Sequence, residues 1–246
     1  MKNFIWIIKH YFKRNVLDPS NLLLIGLPLV FLFAFDLIDQ FLWSHGAPDF
    51  MSFSMVAIPM VLGFLFFGTD ITGNWLHTDL KGSVGARLLV TGIDKRFFFL
   101  SVTVAGWFYL FVMGMLLVAI VSLLFDGDWG NYVMVMIVIF LLALMVQLIG
   151  VLIFHFTKDK KSNARVSYLF GEVFICLSIV PYVFNLGELI TSIFNHLPVG
   201  IGLQAIQADS IANALQNLGM LLGYILVLVM AVLTVGRRKE QYDDCI

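Results

Sequence analysis

With 246 residues, 60% of them hydrophobic and only 13% charged, the chain carries more apolar side chain than one soluble core can bury. The mean hydropathy of +0.94 directs that surplus toward lipid. A net charge of −1 provides no global field for nucleic acid, and two unspaced cysteines, Cys176 and Cys245, exclude a disulfide framework. Cys176 lies in an apolar run and reads as a small buried residue. The length fits one domain over residues 1–246.

Residues 1–17 predict an amphipathic helix. Phe4, Ile7, Ile8, Tyr11 and Phe12 recur at helical spacing, with Lys2, Lys9 and Lys13 on another side. Such a helix is expected to lie in the membrane interface, either as an anchor or as part of a coupling device. Crossing a hydrocarbon core of about 30 Å takes roughly 20 helical residues. Six stretches meet that length: 21–43, 51–69, 98–125, 131–156, 166–187 and 217–236. They are continuously apolar, whereas barrel strands alternate, so the expected fold is all-α and polytopic. The first of them is too long, and too lacking in a small-residue cleavage site, for a signal peptide.

All 15 lysines and arginines fall before the first span, between spans two and three, between spans four and five, or after the last. The outer end of the first span and the other three loops carry Asp36, Asp39, Asp49, Asp126, Asp128, Glu188 and Asp209 instead. Positive charge marks the cytoplasmic side, so both termini are expected there, in a multi-pass plasma-membrane protein.

Two connecting segments depart from plain loops. Residues 70–97 read as the longest cytoplasmic stretch, with Leu80, Val84 and Leu88 forming one apolar stripe on a short helix that Gly82 and Gly85 weaken. Residues 188–208 are too apolar for a solvated loop, and Pro198, Gly200 and Gly202 interrupt them. They read as two half-helices dipping in from the outer side, with Asp209 or Ser210 capping the helix that follows. Pro28, Pro59 and Pro181 fall inside spans and predict bends. Gly219 and Gly223 form a small-xxx-small pair in the last span.

No G-x-x-x-x-G-K-[ST], H-E-x-x-H or G-x-S-x-G occurs, and the five histidines are scattered, so neither ATP hydrolysis nor enzymatic or metal chemistry is expected of this chain. Glu172 is the clear intramembrane acid, about seven residues into the fifth span, with Gln147 and His155 its expected partners. A charge at the centre of a span costs on the order of 2.5–3.5 kcal/mol, so Glu172 should face protein or a water-filled cavity, as a point on a substrate path or as a hydrogen-bonded structural acid. Met55, Met60, Phe64 and Phe67 in the second span supply adaptable apolar surface, which suits either a substrate path or lipid-facing packing.

Phe12–Phe33, FKRNVLDPSNLLLIGLPLVFLF, resembles the opening of ABC-transporter permeases of the ABC-2 type: a basic stretch, a short Asp-Pro segment and a Leu-rich helix with proline. Asp79-Leu80-Lys81-Gly82-Ser83-Val84 through Arg87-Leu88-Leu89-Val90-Thr91-Gly92-Ile93 resembles that family's cytoplasmic signature, with Gly92 where proline is usual. The resemblance implies a type V exporter fold in which two six-helix permeases, identical or not, join two separate P-loop ATPase subunits that bind ATP and Mg. It implies that the N-terminal segment is a connecting helix and that residues 80–90, with Leu80, Lys81, Gly82, Val84, Arg87, Leu88 and Leu89, form the ATPase-coupling helix. Residues 188–208 become the re-entrant outer segment, and helices two and five of both protomers line the path. The expected function is export of an amphipathic or lipophilic substrate (a drug, an antimicrobial peptide or a lipid-like molecule). The alternative is a secondary transporter or channel that works without an ATPase.

Overall fold

The computed structural model describes residues 2–44, 53–80, 94–125, 129–183 and 187–243, and all its regular elements there are helical. The N-terminal helix α1 (Lys2–Leu17) ends at Asp18, whose carboxylate accepts the Ser20 backbone N–H and opens a 3₁₀ turn, Pro19–Leu22. The chain then enters α2 (Leu23–Ser44). Helix α3 (Phe53–Phe64), a 3₁₀ turn at Leu65–Gly68, α4 (Thr69–Trp75) and a π turn at Leu76–Leu80 follow without a break, forming one rod over 53–80. After it come α5 (Lys95–Phe125), α6 (Tyr132–Phe156) and α7 (Lys160–Val183). Two short helices, α8 (Gly187–His196) and α9 (Pro198–Ile206), precede the long α10 (Ile211–Asp243).

Among the described residues, five segments are long and apolar enough to cross a membrane: Pro19–Ile38, Val56–Leu80, Arg96–Phe125, Tyr132–Phe156 and Ile211–Gly236. The fifth predicted span, 166–187, is not among them; it falls on α7, whose first two turns carry Lys160, Lys161 and Arg165. Residues 184–186, just beyond α7, lie outside the described residues.

Helix α6 is the centre of the bundle, packed by the rod, α5, α7, α9 and α10. Its Val138, Ile139, Leu142, Ala143 and Val146 are fully buried, in a core shared with Met60, Leu62 and Phe66 of the rod and Ile201 of α9. A second, smaller core joins Ile7 and Tyr11 of α1 to Leu76, to Phe98, Val102 and Ala105 of α5, and to Val151 and Phe154 of α6. The apolar stripe of α1 is thus covered by protein: Phe4 meets Phe97, Tyr11 meets Phe98 and Phe12 meets Phe108. Ile5, Trp6, Val16 and Leu17 remain exposed on the same helix.

Pro198 at the first position of α9 stops α8 and starts a new helix, as its missing N–H dictates. Ser210 caps α10: its Oγ accepts the Asn213 N–H at 3.2 Å and its carbonyl accepts the Ala214 N–H. Tyr224 of α10 donates to the His196 carbonyl at 3.0 Å and ties the pair of short helices to α10.

One boundary differs from the sequence expectation. The second span was expected to end at 69 and give way to a loop, yet the helix runs on to Leu80. The polar residues that read as solvated loop are instead inside the bundle, where other helices supply their hydrogen bonds.

Candidate functional site

Polar side chains within the bundle gather on the second half of the rod. Thr69, Thr72 and His77 are buried there, facing Gln147 and Thr157 of α6 and its C-terminal end and Asn163 and Ser167 of α7, all buried too, while the buried Asp79 faces α1. Gln147 spans the middle layer: its Nε2 donates to the Gly68 carbonyl at 2.9 Å, and its Oε1 accepts from the Thr72 hydroxyl. The Gly68 carbonyl sits in the 3₁₀ turn, where the ordinary helical ladder changes register, so a side-chain amide completes what the backbone leaves open. One layer on, Asp70 is held by two amides, Asn163 Nδ2 at 3.0 Å and Asn74 Nδ2. His77 Nε2 and Thr157 Oγ1 pair at 2.9 Å. Close approach needs small residues here: a Cβ on Gly150 would run into the Thr69 carbonyl.

At the end of the rod, α1 closes the seam. Arg14 Nη1 lies 2.6 Å from Asp79 Oδ2, and the Tyr11 hydroxyl donates to the same oxygen. The Arg14 guanidinium also stacks 3.9 Å above the Trp75 ring, whose Nε1 donates to Asn15 Oδ1 at 2.6 Å. Burial, reinforced by the hydrogen bond to the Asp79 carboxylate, raises the Tyr11 phenol well above its ordinary range. The buried Asp79 carboxylate therefore has a guanidinium and a neutral phenol as its two donors. Four residues of α1 and the rod (Tyr11, Arg14, Trp75 and Asp79) form one clamp.

A second feature lies where the rod meets α2 and α7, with Phe64 buried in the main core and Phe67 half-buried against it. The 3₁₀ turn brings residues three apart nearly into eclipse, and Phe64 stacks on Phe67 with centroids 5.7 Å apart. Phe31 of α2 lies 5.8 Å from Phe64, and Tyr168 of α7 lies 6.3 Å from Phe67. Phe67 fits because α7 has Gly171 against its ring. One turn beyond Tyr168 on α7, Glu172 is exposed, as is Cys176 a turn further.

The residues singled out in the sequence divide accordingly. Leu80 is half-buried at the end of the rod and packs on the smaller core. Lys81, Gly82, Val84, Arg87, Leu88 and Leu89 lie outside the described residues, as does the side chain of Met55. Met60 is fully buried in the main core, and Phe64 and Phe67 are brought together. Glu172 is not paired with Gln147 or His155. Gln147 turns to the rod, His155 stacks on Phe99, and Glu172 points off the outer face of α7. Cys176 is likewise exposed rather than buried, because it shares that face.

Sequence reasoning missed the clamp and the Asp70 layer. The available signals were Asp79, an acid inside a stretch read as basic, and Asp70 with Asn74 at helical i,i+4 spacing. Among the described residues no cluster of three or more histidine, cysteine, aspartate or glutamate side chains could hold a metal ion. The fold and seam define a helical protein with several helices suited to a membrane. No family model, curated protein or solved structure matches the chain.

Proposed function

We propose that the chain is the transmembrane permease subunit of an ATP-driven exporter, moving an amphipathic or lipophilic substrate outward and powered by a separate P-loop ATPase. In this reading α7 also crosses the membrane, as the fifth of six spans, and both termini are cytoplasmic. The exposed Ile5, Trp6, Val16 and Leu17 of α1 meet the lipid interface, and α8 with α9 is the re-entrant outer segment. A second permease subunit, identical or similar, packs across the face of α7 that carries Glu172.

The observation that carries this reading is the Arg14–Asp79–Tyr11 clamp. It sits at the start of residues 80–90, the segment that the family resemblance makes the ATPase-coupling helix. A push delivered to that segment reaches the rod through Leu80 and reaches α1 through Asp79. The rod then presses on α6 and α7 through a packed, hydrogen-bonded seam that leaves little room to absorb the displacement.

Copurification in mild detergent tests it. A P-loop ATPase should accompany the chain, and disrupting Leu80–Leu89 should uncouple its hydrolysis from transport. If no ATPase associates, or if the associated ATPase ignores those substitutions, the reading is wrong.

Asp70 favours a second reading, a secondary transporter. It is an acid inside an apolar rod, held by amides rather than by an ion pair. Gradient-driven transport by the purified chain alone, abolished by Asp70→Asn, would establish it over the first.

A further inference from the structure

Helix α1 turns its expected lipid-facing stripe inward. Ile7 and Tyr11 belong to the smaller core, and Phe4 and Phe12 pack on Phe97 and Phe108 of α5. What α1 leaves exposed includes Ile5, Trp6, Lys9, Lys13, Val16 and Leu17. At about 100° per residue these six positions fill one arc of about 120°. Lys9 and Lys13, one turn apart, run down its middle. Ile5 and Val16 border them on one side, Trp6 and Leu17 on the other.

The two lysines are uncompensated. No acid occurs in α1, Arg14 is engaged by Asp79, and among the described residues neither Lys9 nor Lys13 is in an ion pair. Asp18, the first acid of the chain, turns its carboxylate to Ser20. Two ammonium groups at i,i+4 repel one another, so an anion that bridges them is drawn to the helix.

The apolar borders indicate what carries that anion. Trp6 is 67% exposed and Leu17 68%. Beyond Leu17 the exposed surface continues through Leu22, Leu23 and Leu27 into the membrane-spanning segment Pro19–Ile38. At the other end Phe97, exposed beside Phe4, extends the apolar margin. An acidic protein surface would answer the lysines but not this continuity with a span. A phospholipid answers both, and tryptophan is at home at headgroup level.

We infer that the outward arc of α1 binds an anionic phospholipid of the cytoplasmic leaflet, Lys9 and Lys13 holding the phosphate and Ile5, Trp6, Val16 and Leu17 the apolar part. The inference rests on the permease reading for the cytoplasmic placement of α1, where anionic headgroups gather. The lysines then share the lipid side of the helix with its exposed apolar residues. The inner side of the same helix carries Tyr11 and Arg14, so the lipid seats the helix that closes the clamp on Asp79.

Quenching of tryptophan fluorescence by brominated acyl chains tests this on the full chain in vesicles of phosphatidylcholine and phosphatidylglycerol. The Trp6 signal is the difference between the chain and its Trp6→Phe variant. It should be quenched at a lower lipid fraction when phosphatidylglycerol carries the bromine than when phosphatidylcholine does. Lys9→Gln and Lys13→Gln should each weaken the apparent affinity for phosphatidylglycerol about fivefold. Lys161→Gln, which removes a charge from the start of α7, should leave it unchanged. Equal quenching by the two lipids, or a preference that survives the double lysine variant, overturns the inference. An equal loss in Lys161→Gln also overturns it, as a bulk charge effect, and displacement by soluble glycerol phosphate assigns the lysines to a free phosphate instead. An ATPase that copurifies with a chain showing no lipid preference overturns the lipid site and leaves the permease reading in place. Lipid preference without any associated ATPase does the reverse.

Discussion

The rod and α10 are both long, apolar helices, yet 89% of the rod's most apolar window is buried and only 17% of that of α10. Hydropathy does not separate them in the direction a soluble protein would suggest. The more apolar helix, α10, is the outer one, and the rod, with Thr69, Asp70, Thr72, Asn74, His77 and Asp79, is the inner one. In lipid the apolar side chain has no reason to prefer the interior, and helices associate through packing and interhelical hydrogen bonds instead. Polar residues therefore mark the inner face of the rod.

That contrast breaks most sharply at Gln147. Gln147→Leu strands the Thr72 hydroxyl and the Gly68 carbonyl in the interior, and should cost about 1–2 kcal/mol, read as a lowered thermal midpoint in detergent. Asp79→Asn weakens the clamp, but Arg14 is 31% exposed, so screening holds the loss near about 1 kcal/mol. A more direct measurement is proteolysis within α1, which should accelerate in this variant while cleavage in α10 stays constant.

The clamp also fixes the alkaline limit. The Tyr11 phenol is harder to ionise folded than unfolded, so its contribution is whole below the ordinary tyrosine value of about 10 and is lost as pH climbs above it. Thermal midpoints measured from neutral pH upward should therefore fall beyond that point, and fall less steeply in Tyr11→Phe. On the other side of the comparison, Leu226→Ala on the exposed face of α10 should change stability by no more than about 0.5 kcal/mol. A loss comparable to that of Gln147→Leu would show α10 to be an inner helix.

Much of the fold was legible because long apolar runs, a proline between short ones and a basic amphipathic start have few alternatives in helical form. Helix α1, the break before Pro198 and the cap at Ser210 all follow from local chemistry. The end of the second span was not legible, because Asp70, Asn74 and Asp79 read as solvent-facing until their partners on α1, α6 and α7 are known. The same blindness misdirected Glu172. Gln147 and His155 share its expected depth, but depth says nothing about azimuth, and Gln147 was already engaged by the rod. The row from Phe31 to Tyr168 draws on three helices, and no spacing in the chain announces it.

The tight turn at Leu65–Gly68 has a geometric result that reaches past its own four residues. A 3₁₀ residue advances about 120° rather than about 100°, so the helix leaves the turn rotated by about 80°. A helical wheel drawn with one phase for 53–80 therefore assigns the wrong azimuth to everything after Gly68. The aromatic pair before the turn's end and the carboxamide layer after it belong to two different helical phases. That phase slip lets a single continuous segment present rings to one neighbour and amides to another.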